Sequence, residues 1–311
     1  MINLALNEEQ QLIIDSVQGT LGRLEGQQLT AAQLWSELAG QGMFGLSLDE
    51  AELGAGLSIV EEALLAYEVG RFLTRSGVVA TAAAAIVDSS SSEKTVSGEL
   101  IVGFGVRSEP SKTDCWLIDA ADATHILLKD GLSWALVPAS GFSDRSEVES
   151  VDGTPLEVAT IGSDISGIAK GGEVLLRIEL LICAALCGLA DNAKDMSVEY
   201  AGIREQFGRP IGSFQAVAHH CADAAMRLEA ARAQLFLAAV SVRDGAPDAE
   251  LQVAAAGRIA DDAAFRNATI NIRIHGGMGY SSETGADMIL KRTLTYRRLS
   301  VGDHWRRKKL L

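Results

Sequence analysis

A chain of 311 residues with 48% hydrophobic content is long enough for about two domains around a substantial core, which excludes disordered, collagenous and small disulfide-stapled classes. Its 41 acidic residues against 27 basic ones, a net charge of -14, repel phosphate backbones over most of the surface, so no nucleic-acid partner is expected. Apolar runs such as Val78 to Val87 fall short of the roughly 18 to 20 residues that span a bilayer, and Met1 to Asn7 carries no readable secretory signal; a cytoplasmic protein without a membrane partner is the expectation.

From Asn7 to about Val87 apolar residues recur at three- and four-residue spacing. Capping-box starts at Asn7/Gln10, Thr30/Gln33 and Ser58/Glu61 predict three or four helices. Glycines between Gly42 and Gly56 mark a loop. The serine run at Asp88 to Ser92 reads as a flexible link. Beyond it, short segments at Leu100–Val106, Cys115–Ile118, Thr124–Leu128, Ser133–Val137 and Leu156–Ile161 read as strands of a small antiparallel sheet. The pair Gly103 and Gly105 lacks the third glycine and following helix of a dinucleotide fingerprint. Helical periodicity returns over Glu173–Arg204, Ser213–Asp244 and Asp248–Ile274, with a last helix from about Glu283, lengths that suit a bundle. The fold class expected is mainly α with a small β domain: an N-terminal helical domain over 1–92, a β domain over 93–168, and a C-terminal four-helix bundle with a basic tail over 169–311.

Four cysteines and five histidines make a thin metal inventory. Cys183 and Cys187 read as core thiols, and His219 and His220, being adjacent on a helix, point about 100° apart; no metal site is expected. Two loops between bundle helices carry more chemistry. In the first, Arg204 to Gln215, Arg204 can fork onto a phosphate, Phe207 offers a flat face, and Gln215 lies in the next helix's first turn, where backbone N–H groups favour anions. In the second, Arg273-Ile274-His275-Gly276-Gly277-Met278-Gly279-Tyr280, three glycines in four residues allow close approach of backbone to a ligand. Each loop taken alone also reads as a helix-ending turn.

Together, in this order, 69 residues apart, the two loops resemble the RxxFGxPIxxFQ and QxHGGxGY motifs of the acyl-CoA dehydrogenase family. Leu34 to Leu46 and Glu61-Glu62 to Arg71 are similar to its LWxxLAxxGxxGL and EExGR patterns, so the resemblance covers about residues 5–75 and 150–295. It implies the family's fold, FAD as cofactor, an acyl-CoA substrate desaturated by removal of an α-proton and a β-hydride, and electron-transfer flavoprotein as acceptor. It also implies that Arg204, Phe207, Gln215, Arg273, Gly276, Gly277 and Gly279 bind the ADP half of an FAD held chiefly by a neighbouring subunit.

The chain departs from the family in three places. No IYEGTxE-like stretch with its glutamate base follows Tyr280. The other family position for the base, 26 residues before Arg204, falls on Ile178, leaving Glu179 one residue out as the catalytic candidate. Between Ser97 and Gly162 neither a TEPxAGSD nor a WITNG-like segment is present, so the middle sheet is reduced on the flavin side. ADP motifs kept, flavin motifs lost and base lost resemble the short β-type subunit of heteromeric (α2β2) bacterial acyl-CoA dehydrogenases of sterol and bile-acid side-chain degradation, whose longer α-type partner brings the base. The alternatives are a self-sufficient homodimer using Glu179 and a catalytically silent assembly subunit. The tail from Lys291 carries eight basic residues against Asp303 alone; it is expected to pair with the acidic body or to meet a partner or CoA phosphates.

Overall fold

The computed structural model describes residues 6–27, 29–108, 113–162, 171–281 and 283–310. It opens with helices α1 (Glu8–Leu24), α2 (Ala31–Gly40), α3 (Ile59–Arg71), α4 (Gly77–Val87) and α5 (Ser92–Val96). All three capping boxes are formed, at Asn7, Thr30 and Ser58. The serine run is not a flexible link: Ser89–Ser91 form a 3-10 turn leading into α5. Asp88 caps it, and Ser91, Ser92 and Thr95 hydroxyls donate to carbonyls three or four residues back, because side chains this short can satisfy local backbone groups in place of water.

Six strands follow: β1 (Val102–Arg107), β2 (Asp114–Ile118), β3 (His125–Asp130), β4 (Ser133–Pro138), β5 (Phe142–Val148) and β6 (Leu156–Ile161). They form one sheet in the order β4-β3-β1-β2-β6-β5. The pairing is antiparallel except between β1 and β3, which run parallel, so the sheet is mixed rather than wholly antiparallel. β5 is an edge strand of Phe-Ser-Asp-Arg-Ser-Glu-Val, mostly exposed, and has no apolar alternation for a sequence reading to find. Gly103 and Gly105 have a packing reason: a Cβ at Gly105 would lie 2.7 Å from Ile126 Cγ2, and one at Gly103 would lie 2.8 Å from Ala120 Cα. One face of the sheet, with Val102, Phe104, Val106 and Trp134, joins the main core. The other, with Leu117, Ile126, Leu128 and Ile161, forms a smaller second core.

The remainder is helical: α6 (Glu173–Ile203), α7 (Gln215–Arg243), α8 (Ala249–His275), α9 (Ala286–Leu299) and the short α10 (Asp303–Leu310), with a two-residue hairpin β7 (Glu205–Gln206) and β8 (Arg209–Pro210) between α6 and α7. α6 is the central rod. From Ile178 to Asp191 its residues are buried on every side, Cys183 and Cys187 among them as core thiols.

Two features lock the parts together. α3 crosses α6 backbone to backbone: a Cβ on Gly70 would run into the Ala185 carbonyl, and one on Gly188 into the Tyr67 carbonyl. Around that crossing Tyr67 Oη donates to Asp191 at 2.8 Å and Arg71 pairs with Asp195 at 3.1 Å. At the sheet, buried Asp152 accepts from Arg292 of α9 at 3.0 Å and from Thr154 N at 3.1 Å, while Arg292 also donates to Thr74 O at 2.7 Å. Burial raises the Asp152 pKa, but Arg292 and the Thr154 bonds outweigh it and hold the carboxyl below its ordinary range.

Gly70→Ala and Gly188→Ala should each cost about 2–3 kcal/mol in denaturant unfolding, with the double variant losing less than the sum because both act on one crossing. Asp152→Asn should cost about 2 kcal/mol at neutral pH by leaving Arg292 buried and unpaired. A lowered folded pKa means that this contribution is full above about pH 4 and fades as pH falls through the folded value, so the stability gap between Asp152→Asn and the parent should narrow in acid.

Candidate functional site

α6, α7 and α8 alternate in direction, so the end of α6, the start of α7 and the end of α8 meet at one end of the bundle. Buried polar contacts fix that meeting. Tyr200 stacks on His275 with ring centroids 4.0 Å apart. His275, itself buried, is bonded through Nδ1 to Asn271 O at 2.9 Å, and Ser197 Oγ donates to Asn271 Oδ1 at 3.0 Å. One helical turn away, Asn267 Nδ2 reaches both Ala190 O and Ala224 O at 3.1 Å. Asn267 and Asn271 escape the sequence reading. Asn267, Asn271 and His275 follow one another at intervals of four, a polar stripe within an alanine-rich helix that is the signal marking them.

The first loop is a rigid hairpin. Phe207 and Gly208 both have positive φ, 54° and 76°, as a type I′ turn requires. Gly208 adopts that conformation freely, whereas phenylalanine there costs roughly 1–2 kcal/mol. Yet Phe207 is 93% exposed, its ring meeting the edge of Phe214 at 6.1 Å. Arg209 lies over Phe214 at 4.1 Å, and Ile211 N donates to Arg204 O at 2.8 Å, so the hairpin is held from below while its aromatic tip is left outside. Gln215 is the first residue of α7 and is exposed.

In the second loop Gly276 ends α8 with φ 61°, and residues Gly276–Tyr280 form a 3-10 turn. Gly279 is required from inside, since a Cβ there would run into the Ile272 carbonyl. Gly277 is exposed and has open space beyond it, so among the described residues nothing demands glycine at that position. Arg204 and Arg273 are both exposed, and among the described residues neither forms an ion pair. Unpaired guanidinium groups, a bare glycine backbone, a helix start and a flat aromatic face at one place suit a phosphorylated nucleotide. The predicted residues Arg204, Phe207, Gln215, Arg273, Gly276, Gly277 and Gly279 are thus gathered at one end of the bundle.

Glu179 is elsewhere. It lies on α6 roughly 36 Å before the helix ends, at 1.5 Å per residue. The carboxylate is 1% exposed. Its Oε1 accepts from Ser300 Oγ at 2.5 Å and from Arg306 of α10 at 3.0 Å, and its Oε2 accepts from Val301 N at 3.1 Å. Lys129 of β3 donates to Ser300 O in the same cluster. Arg306 reaches Glu179 by passing over Gly257 of α8, where a Cβ would stand 2.7 Å from its Nε. The basic tail pairs with the body in other places too: Arg297 with Asp261 at 2.6 Å, and Arg258 with Asp303 at 2.8 Å.

Comparisons with known proteins agree with this architecture. Residues 7–94 match the acyl-CoA dehydrogenase N-terminal domain, and residues 174–302 match the acyl-CoA dehydrogenase C-terminal domain. Acyl-CoA dehydrogenase FadE34 of Mycobacterium tuberculosis is 33% identical over 281 residues, covering 83% of this chain and 39% of that protein; the chain thus spans well under half the length of that relative. Among solved structures, butyryl-CoA dehydrogenase from Megasphaera elsdenii aligns with a TM-score of 0.81 at 18% identity, covering 99% of this chain and 98% of the other. The Tcur3481-Tcur3483 steroid ACAD G363A variant aligns with a TM-score of 0.78 at 23% identity, covering 97% and 96%. Both matched domains flank the sheet in the order the two loops and the helical N-terminus led us to expect, and the chain belongs to the acyl-CoA dehydrogenase family.

Proposed function

We propose that this chain is the nucleotide-gripping subunit of a heteromeric, FAD-dependent acyl-CoA dehydrogenase, completing the cofactor site of a longer homologous partner in an α2β2 assembly. The observation that carries the reading is a separation: the open loops at the end of α6 and the enclosed Glu179 lie roughly 36 Å apart along a single helix. One extended dinucleotide cannot touch both, so the loops serve a cofactor whose reactive ring is held by another chain. In this reading Arg204 and Arg273 neutralise the pyrophosphate, Gly276, Gly277 and Gly279 let the backbone come close to it, and Phe207 and Gln215 face the adenosine end. FAD, when bound, supplies the hydride acceptor for desaturation of an acyl-CoA thioester.

A base must come within hydrogen-bonding reach of the α-carbon proton. Glu179 is fully engaged by Ser300, Val301 and Arg306, which supports placing the base on the partner and giving Glu179 the task of anchoring the tail. For the acyl group we propose a steroid side chain, on the resemblance of the motif combination to subunits of that type. Electron-transfer flavoprotein is the proposed acceptor.

Expression of the chain with and without a longer homologue, followed by measurement of FAD per chain and acyl-CoA-dependent dye reduction, tests the reading. About one FAD per pair of unlike chains, and little on this chain alone, is expected. In the complex, Arg204→Ala combined with Arg273→Ala should weaken FAD retention by about two orders of magnitude, since hydrogen bonds to charged groups contribute about 1.5–3 kcal/mol each. Glu179→Gln should leave turnover within about twofold wherever the assembly stays folded. One FAD bound per chain in the isolated protein, with turnover abolished by Glu179→Gln, would establish the self-sufficient homodimer instead; absence of flavin and turnover under all conditions would establish a silent assembly subunit.

A further inference from the structure

We propose that the cleft between the sheet and α9 is a binding site for an uncharged, largely hydrocarbon molecule that carries one hydroxyl or carbonyl oxygen. The wall of the cleft follows from strand register. Val106 of β1 stands opposite Trp116 of β2, and Ile118 of β2 stands opposite Leu156 of β6. Trp116 and Ile118 are two apart on one strand, so all four side chains share a face of the sheet. With Leu294 of α9 they line a cavity of about 460 Å³, within the range of sites that take small organic ligands. The wall is not closed off as core: Trp116 is 36% exposed and Leu294 47% exposed, whereas the other three tryptophans of the chain are buried. Apolar surface left open to a cavity is where a hydrocarbon gains by leaving water.

The charges around the cleft cancel. Lys291 is paired with Asp287 at 2.6 Å, and Asp152 with Arg292 at 3.0 Å. Of the charged lining residues that leaves Glu149 and Arg298, one of each sign and both exposed. Such a lining offers no net attraction to an ion, and an ion that entered would exchange water for an apolar wall. The ligand it suits is therefore neutral, unlike a phosphate-bearing thioester of coenzyme A.

One polar group sets the remaining requirement. Thr154 lines the same cavity and is 6% exposed, and among the described residues its Oγ1 has no hydrogen-bond partner. The neighbouring Asp152 carboxylate is engaged elsewhere: Oδ1 accepts from Thr154 N at 3.1 Å, and Oδ2 accepts from Arg292 and Thr295. A buried hydroxyl without a partner is costly, and a ligand oxygen that accepts from it or donates to it removes that cost. A single hydrogen-bonding oxygen on an apolar body is the complement of one orphaned hydroxyl beside an apolar wall.

The test uses the full chain by itself, without flavin, acyl-CoA or partner, so its outcome is independent of the proposed function. Decahydro-2-naphthol, the corresponding ketone 2-decalone, and decahydronaphthalene-2-carboxylate share one bicyclic skeleton; each is titrated by calorimetry and by tryptophan fluorescence. The alcohol and the ketone should bind saturably, and the carboxylate about tenfold more weakly or worse. Trp116→Phe should remove the fluorescence change and keep the heat of binding. Leu294→Asp, at an exposed position of the wall, should abolish binding. Thr154→Val should weaken the alcohol and the ketone about tenfold, yet leave the denaturant midpoint unchanged or raised, because the hydroxyl it removes has no partner among the described residues. Carboxylate binding as tight as that of the alcohol, alcohol binding indifferent to Leu294→Asp or to Thr154→Val, or no saturable binding of alcohol or ketone would each overturn the proposal.

Discussion

A helix of 31 residues has no means of bringing its ends to one small molecule, and the rest of this protein is arranged around that constraint. α6 is central and buried for most of its length. Its first turns carry Glu179 and its last residue opens into the Arg204 loop. The two therefore stand roughly 36 Å apart along one rigid rod, counted at 1.5 Å per residue. The glycine crossing of α3 over α6 holds the rod in register, since Gly70 and Gly188 let two backbones touch where any side chain would force them apart.

The buried ion pair at the other end has a different logic. Enclosing Glu179 and Arg306 strips both of water, and a hydrophobic pair of similar shape would serve stability as well. What the ion pair adds is a unique position for the last turns of the chain. With α10 placed as it is, Arg306 passes over Gly257, reaches Glu179 and leaves Asp303 against Arg258. The excess of basic residues in the tail is thus largely answered by acids of the same chain, which favours the pairing of tail with body over the tail as a docking arm.

Local features of the sequence were legible because their physics is local. Capping boxes, turn glycines and three- or four-residue apolar spacing located the long helices to within a few residues, and the two loop motifs pointed to residues that the fold gathers at one end. What escaped was long-range. The parallel pairing of β1 with β3 depends on which strands meet after the chain returns. β5 carries no alternation, and Asp88 to Ser92 could be read as solvated until their hydroxyls were seen bonded back to the helix turn they form. Arg306 as the partner of Glu179, 127 residues apart, is invisible to any window of sequence; so is the face shared by Val106, Trp116, Ile118 and Leu156, which exists only through strand register.

Phe207 makes the strongest case that the loops are built for something outside the chain. A large apolar side chain held at positive φ and almost entirely exposed gains nothing from burial and loses conformational energy, so within the isolated chain both effects disfavour it. A glycine or asparagine would relieve the strain, and a polar residue would relieve the exposure. The hairpin beneath it is nevertheless well made, with Arg209 stacked on Phe214 and Arg204 O accepting from Ile211 N. A rigid mount under an unfavourable tip is the arrangement that lowers the entropy lost on binding, because the aromatic face is already fixed when a ligand or a neighbouring subunit arrives. Gly277 repeats the argument in reverse: a residue whose smallness serves no contact among the described residues leaves room for a contact supplied from elsewhere.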